Sequence, residues 1–325
     1  MSSQILVIGA GGFIGRRVVA ALQRRLPGSV RAGYRRGVPE GGVHCDLMDP
    51  DSLRAAMRGV GAIVNCAHSP SGMDNARAAA RNLAGAAASC GVGKLVYLSS
   101  AAVYGPVSGL VREDSPLTSE SSGYAAEKVA AEQILQQASS PELHVAILRP
   151  ALVYGGGEPQ FFDCFVTQGR VRQLCDLGEF GMGNANLVHV DDLAEFCASL
   201  VDSKLPEFAI ANVVGDEVPC WNAYFAAIAS AAGHAPLPRR TMGRAAWERR
   251  RFVRRVVRKL AGKIPIGAVR ASIPAGLSDS PFDGCSTQLR VATDRARELG
   301  FVSRFGVEAG VRQAISQLRE RHEIR

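Results

Sequence analysis

Gly9-Ala-Gly-Gly-Phe-Ile-Gly15 follows the apolar run Ile5-Leu-Val-Ile8 and leads into residues 13–25, where Val18, Val19 and Leu22 share one helical face. Strand, glycine turn and helix in that order make a spaced-glycine pattern informative. Gly9, Gly12 and Gly15 lack side chains, so the turn can be tight. The backbone can then approach a pyrophosphate at the N-terminus of the following helix. The turn therefore reads as a seat for a dinucleotide, and the order of the elements reads as the first unit of a doubly wound sheet.

The rhythm continues downstream. Residues 30–34, 62–66, 95–99 and 145–149 read as strands, the last stopped by Pro150. Between them, 51–57, 74–90 and 123–138 read as helices, with Asp49 and Pro50 as start signals for the first. Strands separated by helices imply parallel pairing and an α/β, doubly wound parallel sheet. After Pro150 the alternation loosens among Gly155–157, Gly169, Gly178, Gly181 and Gly183. Short strands are expected at 187–190 and 208–213, and helices at 191–202, 221–232, 243–261 and 307–321. The expected organisation is a dinucleotide-binding domain over 1–150 and a smaller, mainly substrate-binding domain over 151–325, with 186–215 returning to the first sheet.

Bulk properties narrow the class. The chain has 325 residues, 47% hydrophobic and 21% charged, which is ordinary for a globular protein. No apolar run approaches membrane-span length, and the run at 5–8 is too short for a signal peptide. The eight cysteines have no C-x-x-C spacing and no histidine partner at ligand spacing. They read as small core residues of a reduced cytoplasmic protein, without a metal site. Of the net charge of +8, all lies in 244–263, with nine Lys/Arg against Glu248. Val253, Val256, Val257 and Leu260 form a helical stripe there, with Arg249, Arg250, Arg254, Arg255, Arg258 and Lys259 largely around it. Such a helix either packs on the core with its charges in water, or touches anionic lipid or a phosphorylated substrate. Nucleic acid is not the expected partner, because the only aromatics among these charges are Trp247 and Phe252.

The chemistry-bearing residues lie on the 123–138 helix and at the ends of expected strands. Tyr124 and Lys128 are four apart, so they share a helical face. An ammonium beside a phenol favours the phenolate and makes proton transfer practical near neutrality. A hydroxyl from Ser99 or Ser100, at the end of the 95–99 strand, could hold a substrate oxygen beside the phenol. An acid at the end of the second strand would favour NAD, but Gly33 occupies that place. Arg35 and Arg36 instead suit a 2′-phosphate, which favours NADP over NAD. Asp46 could hydrogen-bond adenine or cap the following turn.

Five segments together resemble the extended short-chain dehydrogenase/reductase family, which includes NAD-dependent epimerases and dehydratases. They are Gly9–Gly15, Leu98-Ser-Ser-Ala-Ala-Val-Tyr-Gly105, Tyr124-x-x-x-Lys128, Leu148-Arg-Pro-Ala-Leu-Val-Tyr-Gly155 and Val188-His-Val-Asp-Asp-Leu193. A weaker echo is Asp294-Arg-Ala-Arg-Glu-Leu-Gly-Phe301. The resemblance implies a Rossmann fold, with Ser100 orienting a carbonyl and Ser99 in reserve, Tyr124 as acid/base, and Lys128 binding the nicotinamide ribose. It implies cofactor contacts at Gly9, Gly12, Phe13, Ile14, Gly15, Arg35, Arg36, Asp46, Leu47, Cys66, Ala67, Tyr124, Lys128, Pro150 and Val153. His189 and Asp191 are expected to be structural. The resemblance also implies a homodimer formed through the 74–90 and 123–138 helices.

The expected activity is NAD(P)-dependent hydride transfer at a secondary alcohol or ketone. The alternatives are a nucleotide-sugar or lipid-linked sugar C4 epimerase on the same site, and a non-catalytic NADP-sensing protein. Three departures weigh on the substrate. Ala101 and Ala102 replace the Asp-Glu that dehydratases carry, Ala185 stands near the place of a diphosphate-gripping Arg, and Ala76 stands where an Asn is common, with Asn75 beside it.

Overall fold

The computed structural model describes residues 4–118, 123–157, 174–239 and 284–320. The expected 243–261 helix, the basic segment 244–263, Gly169 and Cys164 lie outside the described residues. Seven parallel strands form the main sheet: β1 (Gln4–Ile8), β2 (Val30–Tyr34), β3 (Val43–His44), β4 (Val60–Asn65), β5 (Lys94–Leu98), β7 (His144–Pro150) and β10 (Phe208–Val213). Their spatial order is β10-β7-β5-β4-β1-β2-β3. The chain runs outward from β1 through β2 and β3, then resumes on the other side of β1 with β4. Strand order therefore reverses between β1 and β4, and a crevice opens there at the carboxyl ends of the strands.

Helices cover both faces. On one, α1 (Phe13–Arg25) packs against α5 (Val190–Asp202) over a core that includes Val18, Leu22, Leu193 and Phe196. On the other, α2 (Pro50–Met57), α3 (Met73–Ser89) and α4 (Tyr124–Gln137) cover Leu53, Leu83 and Leu135. Asp49 starts α2 as its side chain accepts from Asp51 N (3.0 Å) and Ser52 N (3.2 Å), with Pro50 in the first turn.

Beyond β7 the chain builds smaller units. β8 (Leu152–Tyr154) pairs with β9 (Leu187–His189), and β6 (Gly109–Val111) pairs with β11 (Leu289–Val291). The helices α6 (Trp221–Ala231) and α8 (Val307–Glu320) share an apolar cluster with Tyr154 and Leu187, while α7 (Asp294–Glu298) precedes Phe301, which packs on Phe196. β10 returns to the main sheet beside β7, in register from Phe208↔Val145 to Val213↔Pro150.

Candidate active site

The site begins at the joint between β1 and α1. Gly9 has φ +81°, and a Cβ there would stand 2.9 Å from Ala67 N. A Cβ on Gly15 would collide with the Gly9 carbonyl oxygen, so the helix can begin this close to the strand only with glycine at position 15. The Gly9 and Ala10 amides donate to Gly33 O at 3.1 and 3.0 Å, which ties the turn to the end of β2. Gly33 is itself confined: a Cβ there would lie 3.1 Å from Cys45 Cβ and 3.2 Å from Val7 O. A side chain at this place would need Cys45 or Val7 to give by a few tenths of an ångström.

A cleft of about 420 Å³ lies against the turn and is walled by Gly9, Gly12, Arg35, Arg36, Asp46, Leu47, Cys66 and Ala67 among others. Eight of the expected cofactor residues thus meet on one surface. The cradle that any Cβ would fill and the guanidinium groups at the rim suit a dinucleotide. Asp46 serves the turn as well, since its Oδ1 accepts from Met48 N at 3.0 Å. A second cavity, about 20 Å³, shares Leu47, Ala67 and His68 with the cleft and continues to Lys128 and Glu127. The other expected contacts lie apart from both walls. Gly15 is buried in the joint, Phe13 lies under the Arg16 guanidinium (5.8 Å), and Ile14 packs on the core. Pro150 pairs with Val213 and Val153 with Val188.

Gly123, at φ +91°, precedes α4 and lets the chain turn sharply into it, so Tyr124 is the first residue of the helix and Lys128 stands one turn further in. Tyr124 is 48% exposed and is hydrogen-bonded with the Ser100 side chain. The Ser100 hydroxyl also accepts from Ala102 N at 3.1 Å, capping the short turn Ala101–Tyr104. Lys128 is buried, its Nζ donating to Leu98 O at 2.8 Å. That Nζ lies 5.9 Å from the Tyr124 ring centroid and 5.0 Å from that of Tyr97. Ser100, Tyr124 and Lys128 are therefore brought together at the carboxyl end of β5.

The electrostatic balance differs from the sequence expectation of a phenol eased towards phenolate by its lysine. Burial raises the Tyr124 phenol, the hydrogen bond with Ser100 opposes this, and the charge on Glu127 raises it further. Burial also brings the Lys128 ammonium down to about 8, against the pull of Glu132, Cys66 and Glu127. Desolvation thus outweighs the neighbouring charges at both groups.

Ser99 is not in reserve for the substrate. It is buried and donates to Glu132 Oε1 inside a network behind the site. Glu132 accepts from Arg149 Nη2 at 2.7 Å, and Arg149 Nη1 donates to Tyr104 OH at 2.9 Å. Tyr104 OH in turn donates to Asn212 Oδ1 at 2.7 Å. His189 is structural: its Nδ1 accepts from Asp191 N at 3.3 Å, and its ring packs 4.1 Å from Phe305. Ala185 is fully buried, so the place of a diphosphate-gripping arginine is core in this chain. Burial pushes the Cys66 thiol up to about 12, although the residue, just past the end of β4, is only partly buried and borders the cleft.

Sequence reasoning passed over His68 and Glu127. The His68 ring stacks on Tyr124 at 5.4 Å and 17°, with Nε2 3.9 Å from Glu127 Oε2. Glu127 Oε1 accepts from Gly72 N at 2.8 Å. A signal for both existed: Glu127 follows Tyr124 by three on a helix, and His68 lies just past the carboxyl end of a buried strand.

The comparisons with known proteins agree with this Rossmann-type fold. The pattern of the NAD dependent epimerase/dehydratase family covers residues 5–213, and the chain belongs to that family. A 2-alkyl-3-oxoalkanoate reductase of Stenotrophomonas maltophilia is 31% identical over 222 residues, 60% of this chain and 64% of the relative. A UDP-glucose 4-epimerase of Azospirillum brasilense is 34% identical over 169 residues, 46% of this chain and 48% of the relative. The chain thus spans less than two thirds of the length of either curated relative. Among solved structures, MoeE5 in complex with UDP-glucuronic acid and NAD superposes with a TM-score of 0.72 at 23% identity, covering 98% of this chain and 99% of that one. Among the described residues, no helix is long and apolar enough to cross a membrane.

Proposed function

We propose that the chain is an NAD(P)-dependent oxidoreductase acting on a secondary alcohol or ketone, with Tyr124 exchanging the hydroxyl proton. The observation that carries this reading is the meeting of the Ser100 hydroxyl, the Tyr124 phenol and the Lys128 ammonium beside a cleft built on the glycine turn. A bound dinucleotide would supply or accept the hydride. Gly9 and Gly12 admit its pyrophosphate to the N-terminus of α1. Arg35 and Arg36, with Gly33 in place of an acid, favour NADP over NAD. Ser100 orients the substrate oxygen, Tyr124 holds or gives the proton at its hydroxyl, and Lys128 supports the ribose side of the site. Fixed positioning of these groups supplies much of the rate.

The substrate is a small molecule. Ala101 and Ala102 leave no acid/base pair for sugar dehydration, and the buried Ala185 weighs against the usual diphosphate grip. The epimerase reading uses the same residues and is favoured by the likeness to the Azospirillum enzyme. In that case the cofactor stays bound through turnover and needs no external supply.

The test is Tyr124→Phe, assayed with reduced and oxidised NADP and NAD against a panel of ketones and alcohols. Turnover is expected to fall by about 10²-fold or more, in line with the usual worth of general acid/base catalysis, while calorimetric nucleotide affinity stays within a few-fold. Unchanged turnover ends the assignment. Replacing Arg35 and Arg36 with Ala is expected to weaken NADP binding and leave NAD binding nearly unchanged. An equal loss for both nucleotides overturns the NADP preference.

A further inference from the structure

Tyr124 is the first residue of α4 and is 48% exposed, so core packing alone does not fix its ring. A group that passes a proton gains rate when its geometry is set before the substrate arrives. Two side chains from other elements act on the ring here. The Ser100 side chain is hydrogen-bonded with its hydroxyl, and the His68 ring lies nearly parallel to it, with centroids 5.4 Å apart at 17°. We propose that His68 is a positioning residue for Tyr124: its ring covers one face of the phenol ring and holds the hydroxyl at Ser100.

His68 can hold another ring because its own loop is fastened. The loop runs from the end of β4 to the start of α3. At its near end Cys66 N donates to Ile8 O at 2.9 Å, and Ala67 N donates to Asn65 Oδ1 at 3.3 Å. His68 Nδ1 donates to Ser69 O. At the far end Gly72 N donates to Glu127 Oε1 at 2.8 Å. Glu127 is buried and follows Tyr124 by three residues on α4. Its other oxygen lies 3.9 Å from His68 Nε2. The loop is thus tied to the helix that carries Tyr124, and the two stacked rings share one frame.

This inference rests on the activity proposed above and adds a residue to it. His68 belongs to the walls of both the cleft and the second cavity, so it stands where the cleft meets the proton-moving group. The role asked of it is geometric. A flat ring at this position suffices, and no charge on the imidazole is needed. A stacked aromatic pair favours the held orientation by roughly two- to tenfold in population. That preference enters the rate of proton transfer and leaves the binding of nucleotide and substrate largely alone.

The experiment compares His68→Ala with His68→Phe in the full chain. With 3-fluorotyrosine incorporated, the fluorine resonance that vanishes in Tyr124→Phe belongs to Tyr124. His68→Ala is expected to move that resonance towards the position of free fluorotyrosine, while His68→Phe keeps most of the shielding of a stacked ring. In unlabelled chains His68→Ala is expected to lower kcat by about three- to tenfold. The KM and the calorimetric nucleotide affinity should stay nearly unchanged, as for a loss felt only in the transition state. His68→Phe is expected to recover most of kcat. If His68→Ala does not fold, His68→Leu fills the space without a stacking face and takes its place. A Tyr124 resonance unmoved by loss of the imidazole overturns the proposal, and so does an unchanged kcat. A kcat that stays low in His68→Phe while the resonance is restored assigns the effect to the imidazole nitrogens and overturns it too. If the wild type and Tyr124→Phe are equally inactive, the proposed activity fails, and the fluorine spectrum alone decides whether His68 holds the ring.

Discussion

Lys128 shows how a single side chain can be costly to the fold and useful to the site. Burial brings its ammonium down to about 8 in the folded chain, against about 10.4 for an unfolded lysine. Below the folded value the lysine is charged in both states, and the folded chain carries the cost of burying that charge. Between the two values the unfolded chain holds a proton that the folded chain has released, so stability from this group rises as pH rises. Lys128→Met has no such group. The stability of the wild type relative to Lys128→Met should therefore improve by on the order of 2 kcal/mol between pH 7 and pH 10. Urea denaturation of both chains across that range checks it, and parallel curves would refute the burial cost. The residue was legible in sequence because its spacing from Tyr124 marks a shared helical face. Its environment was not, because burial and the Leu98 carbonyl belong to the fold around it.

The joint between β1 and α1 is the element on which the cofactor reading depends, and here sequence and structure agree closely. Ile5-Leu-Val-Ile8 and the three spaced glycines specify strand, turn and helix locally, with each choice supporting the next. Most strands and helices through β7 were legible for the same reason, since periodicity and punctuation are local properties. The three-residue strands β6, β8 and β11 are too short to show a period, and distant partners make them strands, whereas β9 falls within the short strand expected at 187–190. At the joint, Gly15→Ala would drive a methyl into the Gly9 carbonyl. A loss of about 1–3 kcal/mol is expected, as for overpacking a tight interior, together with loss of dinucleotide binding. Gly12→Ala meets the same oxygen only at 3.2 Å. It should cost less stability yet still impair binding, because it faces the ligand side of the turn. Thermal midpoints and calorimetric titration with NADP separate the two effects. Equal stability losses would mean that the helix start can shift to make room.

Across the whole molecule, the buried chain of hydrogen bonds from Ser99 through Glu132, Arg149 and Tyr104 to Asn212 joins β5, α4, β7 and β10 behind the site. Nothing in local sequence pairs these residues, because Glu132 and Arg149 are 17 positions apart and Tyr104 and Asn212 are 108 apart. Arg149 reads from sequence merely as the last strand residue before a proline. The network fixes Ser99, and so fixes the backbone that presents Ser100 to Tyr124. Removing one member strands a buried charge: Glu132→Met leaves the Arg149 guanidinium without its carboxylate and should cost about 3–5 kcal/mol. The double change Glu132→Met with Arg149→Met removes both charges and should recover part of that loss, although Tyr104 and the Glu113 carbonyl lose a donor. Denaturant midpoints for the single and double variants give the coupling directly. A double variant no more stable than Glu132→Met would mean that Arg149 serves Tyr104 and Glu113 more than it serves Glu132. The α4–β7 pairing would then be held by packing, and the placement of Ser100 would rest on the β5 backbone alone.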